Sequence, residues 1–131
     1  MILDTLIPWA HAQGASDLHL EPGLPAAVRI RGSLRTTEEP VAAATLHAAA
    51  QELVGVGQWP AFAARRSFDL SRNIRGIRCR INILHSSRGI GLAVRLLASF
   101  QVTLEKLNLH PDLRRFLTPS SGLLIVTGPT G

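Results

Sequence analysis

A single cysteine, Cys79, stands in 131 residues, so no internal disulfide can form and secretion gains no support. No apolar run approaches the roughly 20 residues that a membrane-spanning helix needs. Lysine is almost missing: Lys106 is alone, and the other thirteen of the 14 basic residues are arginines. Acids number nine, which leaves a net charge of +5. Aromatic residues make up 5% of the chain. Trp9, Trp59 and the four phenylalanines are scattered as core residues are, and do not interleave with the arginines as base-stacking platforms do. His11, His47, His85 and His110 show neither His-x-x-x-His nor His-Glu-x-x-His spacing, and no Ser-His-Asp or Cys-His arrangement can be read from the spacing. Ala10-His11-Ala12 has the small-x-small form of a cleavage site. No Lys or Arg precedes it, and Asp4 and Pro8 interrupt the apolar stretch, so the N-terminus reads as mature protein.

Apolar residues reach 46% and charged residues 18%, a composition that builds a core and excludes a disordered tail. The cations are concentrated. Positions 65 to 95 hold eight arginines and one acid, Asp69. Arginine presents a planar fork suited to phosphate or carboxylate. The natural partner is an anion (nucleotide, nucleic acid or an acidic surface), against the plainer alternative of a solvated basic face.

Helical spacing of Leu3, Leu6, Ile7 and Ala10 predicts a helix over 2–13, with Asp4 as its cap and Pro8 near its first turn. Strict alternation predicts a strand over 17–21, with Leu18 and Leu20 inward and Asp17, His19 and Glu21 outward. A metal site on those last three is disfavoured, because i, i+2 strand spacing rarely closes one. Val28 and Ile30 mark a second strand, and a short third one surrounds Leu34. Leu46, Ala49, Ala50 and Leu53 form one stripe of a helix over 42–54. A second short helix spans 59–66. Residues 104–109 and 111–117 read as short helical turns. Residues 123–126, Leu-Leu-Ile-Val, are a continuous apolar run that predicts a strand buried on both faces.

The strongest hairpin signal lies over 77–96. Ile77, Cys79, Ile81 and Ile83 alternate with Arg78, Arg80 and Asn82. Ile90, Leu92, Val94 and Leu96 alternate with Gly91, Ala93 and Arg95. A loop from Ser86 to Gly89 pairs residue 85 with 90, and thereby Cys79 with Leu96, Ile81 with Val94 and Ile83 with Leu92. On the other face Arg80 then meets Arg95. Like charges directly opposite are destabilising, by up to ~1 kcal/mol. An anion bridging the two forks would remove that cost; solvent, or Asp69, is the plainer screen.

After the apolar run 123–126, Gly128, Pro129, Thr130 and Gly131 match the first four positions of a Walker A loop, Gly-x-x-x-x-Gly-Lys-Ser/Thr. The second glycine, the lysine, the hydroxyl for Mg²⁺ and the following helix N-terminus do not occur in the sequence.

Three stretches in register resemble one family. Residues 14–22 (Gly-Ala-Ser-Asp-Leu-His-Leu-Glu-Pro) with 28–35 (Val-Arg-Ile-Arg-Gly-Ser-Leu-Arg) resemble the opening of type II secretion and type IV pilus motor ATPases. Residues 78–82 and 93–97 resemble that family's arginine-bearing hairpin, and 124–131 its approach to Walker A. The short lead before Gly14 is more similar to the retraction, or twitching-motility, branch. The resemblance implies an α+β fold: a PAS-like N-terminal domain over 1–100, with an antiparallel sheet and packing helices. A linker with short helices follows over 101–121, then the first strand of a RecA-like P-loop core over 122–131. It implies a homo-hexamer in which this domain packs on the ATPase core of a neighbouring subunit, and in which Arg80 and Arg95 reach the nucleotide phosphates. It also implies ATP and Mg²⁺ as cofactors of the full-length protein, Gly128 to Gly131 as nucleotide-binding positions, and no metal site. An inner-membrane platform protein is the implied partner, and the implied location is cytoplasmic, peripheral to the bacterial inner membrane. Without the rest of Walker A, Walker B and the catalytic glutamates, these residues are expected to be an excised domain or a truncated product that neither hydrolyses ATP nor holds it firmly. Two other readings stay open: a basic nucleic-acid-binding module, and a structural docking domain without an anion site.

Overall fold

The structure, a computed structural model, describes residues 1–97, 103–116 and 121–128. Two compact units divide the chain, Met1–Ser99 and Phe100–Gly131. The first is α+β. Its elements run α1 (Leu3–Ala12), β1 (Ala15–Leu20), β2 (Pro25–Ile30), β3 (Ser33–Pro40), α2 (Ala43–Val54), α3 (Trp59–Arg65), β4 (Ser67–Ile74), β5 (Ile77–Ser86) and β6 (Gly89–Leu97). The six strands form one antiparallel sheet in the order β3-β2-β1-β6-β5-β4.

The period-2 patterns decide which face is covered. Leu18, Leu20, Val28, Cys79, Ile81, Ile83, Leu92 and Val94 are all buried and share one core with the helices. From α1 come Leu3, Ile7 and Ala10; from α2 come Leu46, Ala49, Ala50 and Leu53; from α3 comes Phe62. No described polar or charged residue is buried. The opposite face of the sheet is therefore where the charged residues of the strands collect.

The long hairpin has the register its alternation predicts. Cys79 pairs with Leu96, Arg80 with Arg95, Ile81 with Val94, Ile83 with Leu92 and His85 with Ile90. The ladder continues one step further, to Ser86 and Gly89. Two other hairpins close through Arg-Gly pairs. Arg31 and Gly32 (φ 49 and 85°) join β2 to β3, and Arg75 and Gly76 (φ 52 and 82°) join β4 to β5. Two successive left-handed residues match the twist of the flanking strands.

Three sequence expectations need correction. First, α1 starts at Leu3 with Ile2 as its N-cap and no side-chain cap. Asp4 instead takes the Met1 amine at 2.8 Å. Pro8 consequently lies inside the helix, where it removes a backbone donor. Second, β4 went unforeseen. It pairs with β5 along its full length, placing Phe68, Leu70 and Ile74 on the core side and Asp69, Ser71 and Asn73 on the other. Third, the apolar run Leu123 to Val126 forms no strand, and all four residues are exposed. A strand exists only through a hydrogen-bonded neighbour, and none of the described residues pairs with this run. The second unit otherwise contains a turn over 104–108 and a 3-10 helix, Pro111–Phe116.

Candidate functional site

Opposed residues in an antiparallel sheet put their side chains on the same face. Across five strands this makes one transverse row: Ser71 on β4, Arg80 on β5, Arg95 on β6, Asp17 on β1 and Arg29 on β2. The next row is Asp69, Asn82, Ala93, His19 and Ala27. Between the two rows lies an open depression of about 240 Å³ lined by Asp17, His19, Asp69, Arg80, Asn82, Ala93, Val94 and Arg95. Both arginines that the sequence singled out thus stand side by side on the open face, at the wall of one depression.

Their surroundings differ. Arg80 makes no side-chain hydrogen bond or ion pair with any described residue, so its whole fork is available. Arg95 donates from Nε to Asp17 Oδ1 at 3.0 Å, and its side chain is 68% exposed. Asp17 is the more sheltered partner, 13% exposed, and its second oxygen accepts from Ser16 Oγ at 2.8 Å. Burial pushes the Asp17 carboxyl up, but the Ser16 hydroxyl and the Arg95 guanidinium outweigh it and hold it below its ordinary value of 3.8. Arg29, on the far side of Asp17, turns to its own hairpin and donates to the Gly32 carbonyl at 3.0 Å.

Asp17 is the neighbour of the arginine pair that sequence reasoning missed. Alternation predicts its face, shared with His19, but not its link to Arg95. Asp69, the acid expected to screen the arginines, lines the depression but makes no ion pair with either of them. The outward set Asp17, His19 and Glu21 divides its work. Asp17 faces Arg95, and Glu21 lies 3.7 Å from Arg88 beyond the end of β1. Among the described residues no group of three His, Cys, Asp or Glu side chains could hold a metal ion. Gly128 is exposed with open space around it. Pro129, Thr130 and Gly131 lie outside the described residues.

No family model matches the chain. Curated proteins do. The type IV pilus retraction ATPase PilT of Pseudomonas aeruginosa is 33% identical over 133 residues, covering 100% of this chain and 39% of PilT. The type IV pilus ATPase PilU of the same organism is 26% identical over 91% of this chain and 32% of PilU. A crystal structure of the pilus retraction motor PilT with bound ADP superposes with a TM-score of 0.74 at 26% identity, over 85% of this chain and 33% of that one. The chain is homologous to type IV pilus ATPases, over a part that matches the N-terminal domain of PilT. The ATPase DotB of Legionella pneumophila shares the fold, with a TM-score of 0.70 at 20% identity over 99% of this chain and 37% of DotB. The chain spans about two fifths of the length of PilT and a third of PilU. The six-stranded sheet with packing helices, which matches the N-terminal domain of PilT, is the scaffold on which Arg80 and Arg95 meet.

Proposed function

We propose that this chain serves as the PAS-like N-terminal domain of a hexameric pilus-retraction or secretion motor ATPase. It packs on the RecA-like core of a neighbouring subunit and supplies Arg80 and Arg95 to the phosphates of the nucleotide held there. The observation that carries this reading is the opposition of Arg80 and Arg95 on the open face of the sheet. The relation to PilT, a retraction motor whose crystal structure holds ADP, supports it.

The chemistry asks little else of this domain. Phosphoryl transfer depends mainly on positioning and on stabilising the charge that develops on the phosphoryl oxygens. Two guanidiniums fixed on neighbouring strands offer donors to oxygens of one phosphate chain without rearranging the backbone. ATP and Mg²⁺ belong to the full-length protein. By themselves these 131 residues are proposed neither to hydrolyse ATP nor to bind it tightly. None of the described helices is long and apolar enough to cross a membrane. A cytoplasmic place at the inner membrane, beside a platform protein of the pilus or secretion system, completes the proposal.

The test uses a full-length ATPase carrying these residues. R80A and R95A are each expected to lower kcat about a hundredfold, with the oligomer unchanged by light scattering. Unchanged hydrolysis in both variants rejects the arginine role and leaves a docking domain without an anion site.

A further inference from the structure

The geometry points to Asp17 as a built-in competitor for the anion, a latch that holds Arg95 until phosphate takes the guanidinium over. This rests on the reading above that Arg80 and Arg95 face a phosphate chain. In the transverse row Asp17 and Arg80 lie on opposite sides of Arg95. A guanidinium bonded through Nε to β1 leans away from β5. For both forks to close on one anion, Arg95 has to leave Asp17 and turn toward Arg80.

The two partners are built for unequal movement. Asp17 is sheltered and anchored by the Ser16 hydroxyl, whereas Arg95 is mostly exposed and held at one nitrogen. An exposed ion pair of this kind is weak. A polyphosphate forming charge-assisted bonds with two guanidiniums at once outcompetes a single carboxylate. Arg80, with no partner of its own among the described residues, makes the first contact, and Arg95 follows. Asp17 is therefore a positioning residue that acts through Arg95.

A rigid brace is the rival role, in which Asp17 keeps its bond and presents Arg95 to the anion. The two roles predict opposite signs. The 131-residue chain is titrated with inorganic tripolyphosphate, and affinity is read by calorimetry. D17N, which keeps the side chain's shape, is expected to bind about fivefold more tightly than the wild type. The gain is expected to vanish in an R95A background, since a general charge effect would persist there. In the wild type, saturating tripolyphosphate is expected to move the Asp17 carboxyl ¹³C resonance together with the Arg95 Nε–H resonance. D17S serves as a second variant should D17N fold poorly. Equal or weaker binding by D17N, or a carboxyl resonance unmoved at saturation, overturns the latch while leaving the anion site standing. Binding that neither R80A nor R95A alters removes the anion site itself and the latch with it.

Discussion

Arg80 and Arg95 face each other across the β5–β6 ladder, and among the described residues only Arg95 of the two is ion-paired to a carboxylate. That asymmetry predicts substitutions of opposite sign in the resting chain. R80Q relieves a like-charge contact and loses no partner, so it is expected to stabilise the domain by about 0.5 kcal/mol. R95Q relieves the same contact but deprives Asp17 of its cation, and is expected to cost about 0.5 kcal/mol net. Urea unfolding midpoints measure both. A larger loss for R80Q than for R95Q contradicts the arrangement. The sign matters for function, because a residue whose removal stabilises the fold is retained for something other than the fold.

Within the sheet unit, stability at the extremes of pH is expected to depend on two carboxylates, one amine and the buried Cys79 thiol. Asp17 is held below 3.8 because the Ser16 hydroxyl and Arg95 outweigh the opposing effect of burial. Asp4 is also held below 3.8, first by its hydrogen bond to the Met1 amine and with help from Arg75. A group whose pKa falls on folding adds stability above its unfolded value, and that stability is lost as pH drops through the folded value. Both contributions are therefore complete above pH 3.8 and disappear in acid below it. The Met1 amine moves the other way. Its contact with Asp4 raises it above 8.0, so its contribution is complete below pH 8.0 and is lost as pH rises through the raised value. D17N is expected to flatten only the acid limb of a plot of urea midpoint against pH. D4N is expected to flatten the acid limb and the part of the alkaline limb that begins at pH 8.0, leaving the loss above 9.0 that follows from the raised Cys79 thiol. An alkaline loss that still begins at pH 8.0 in D4N assigns it to a different group.

The difference between what the residues announced and what they concealed follows sequence separation. The β5–β6 register was legible because both strands and their loop are contiguous. A tight loop and two apolar faces leave one pairing, and a slip of one residue would bury arginines. The partnership of β1 with β6 was not legible. Asp17 and Arg95 are 78 positions apart, and alternation gives a strand's faces without giving its neighbour. β4 escaped for a different reason. Phe68, Leu70 and Ile74 keep the period, but Arg72 takes the core-side position between Leu70 and Ile74. On an edge strand that position opens to solvent and tolerates an arginine. Residues 123–126 show the reverse error. Apolar composition alone predicts a strand, whereas a strand is a pairing, and this run has none among the described residues.

Cys79 tests the core from the inside. Its side chain is fully buried, and burial pushes the thiol above its ordinary 9.0. The thiolate is the reactive form. Modification by a thiol reagent such as Ellman's is therefore expected only when the sheet opens. Its rate in native buffer is expected to be independent of reagent at high reagent concentration, and to rise with urea in step with unfolding. I81A removes a fully buried side chain beside it and is expected to cost about 2–5 kcal/mol, with a matching acceleration of labelling. Fast labelling of the native wild type contradicts the burial of β5.

Nucleic acid is the remaining partner that the arginine excess suggests, and the open face argues against it. Arg80, Arg95 and Arg29 lie in a row, but Asp17 stands among them and Asp69 lines the same depression. The aromatic rings of the sheet unit are placed elsewhere. Trp59 packs on Phe62 and His47, and Phe68 packs against the core. Single-stranded DNA or RNA gains affinity by stacking bases on aromatic rings as well as from cations, and no described aromatic side chain belongs to either row of this face. What remains is phosphate attraction, which falls steeply with salt. Gel shifts with single- and double-stranded DNA are expected to show weak retardation at low salt and none at physiological salt. Tripolyphosphate binding, focused on two guanidiniums, is expected to lose far less affinity over the same range, because fewer counterions are released. Salt-resistant DNA binding that R80A and R95A abolish would replace the proposed nucleotide phosphates at this face with a polynucleotide.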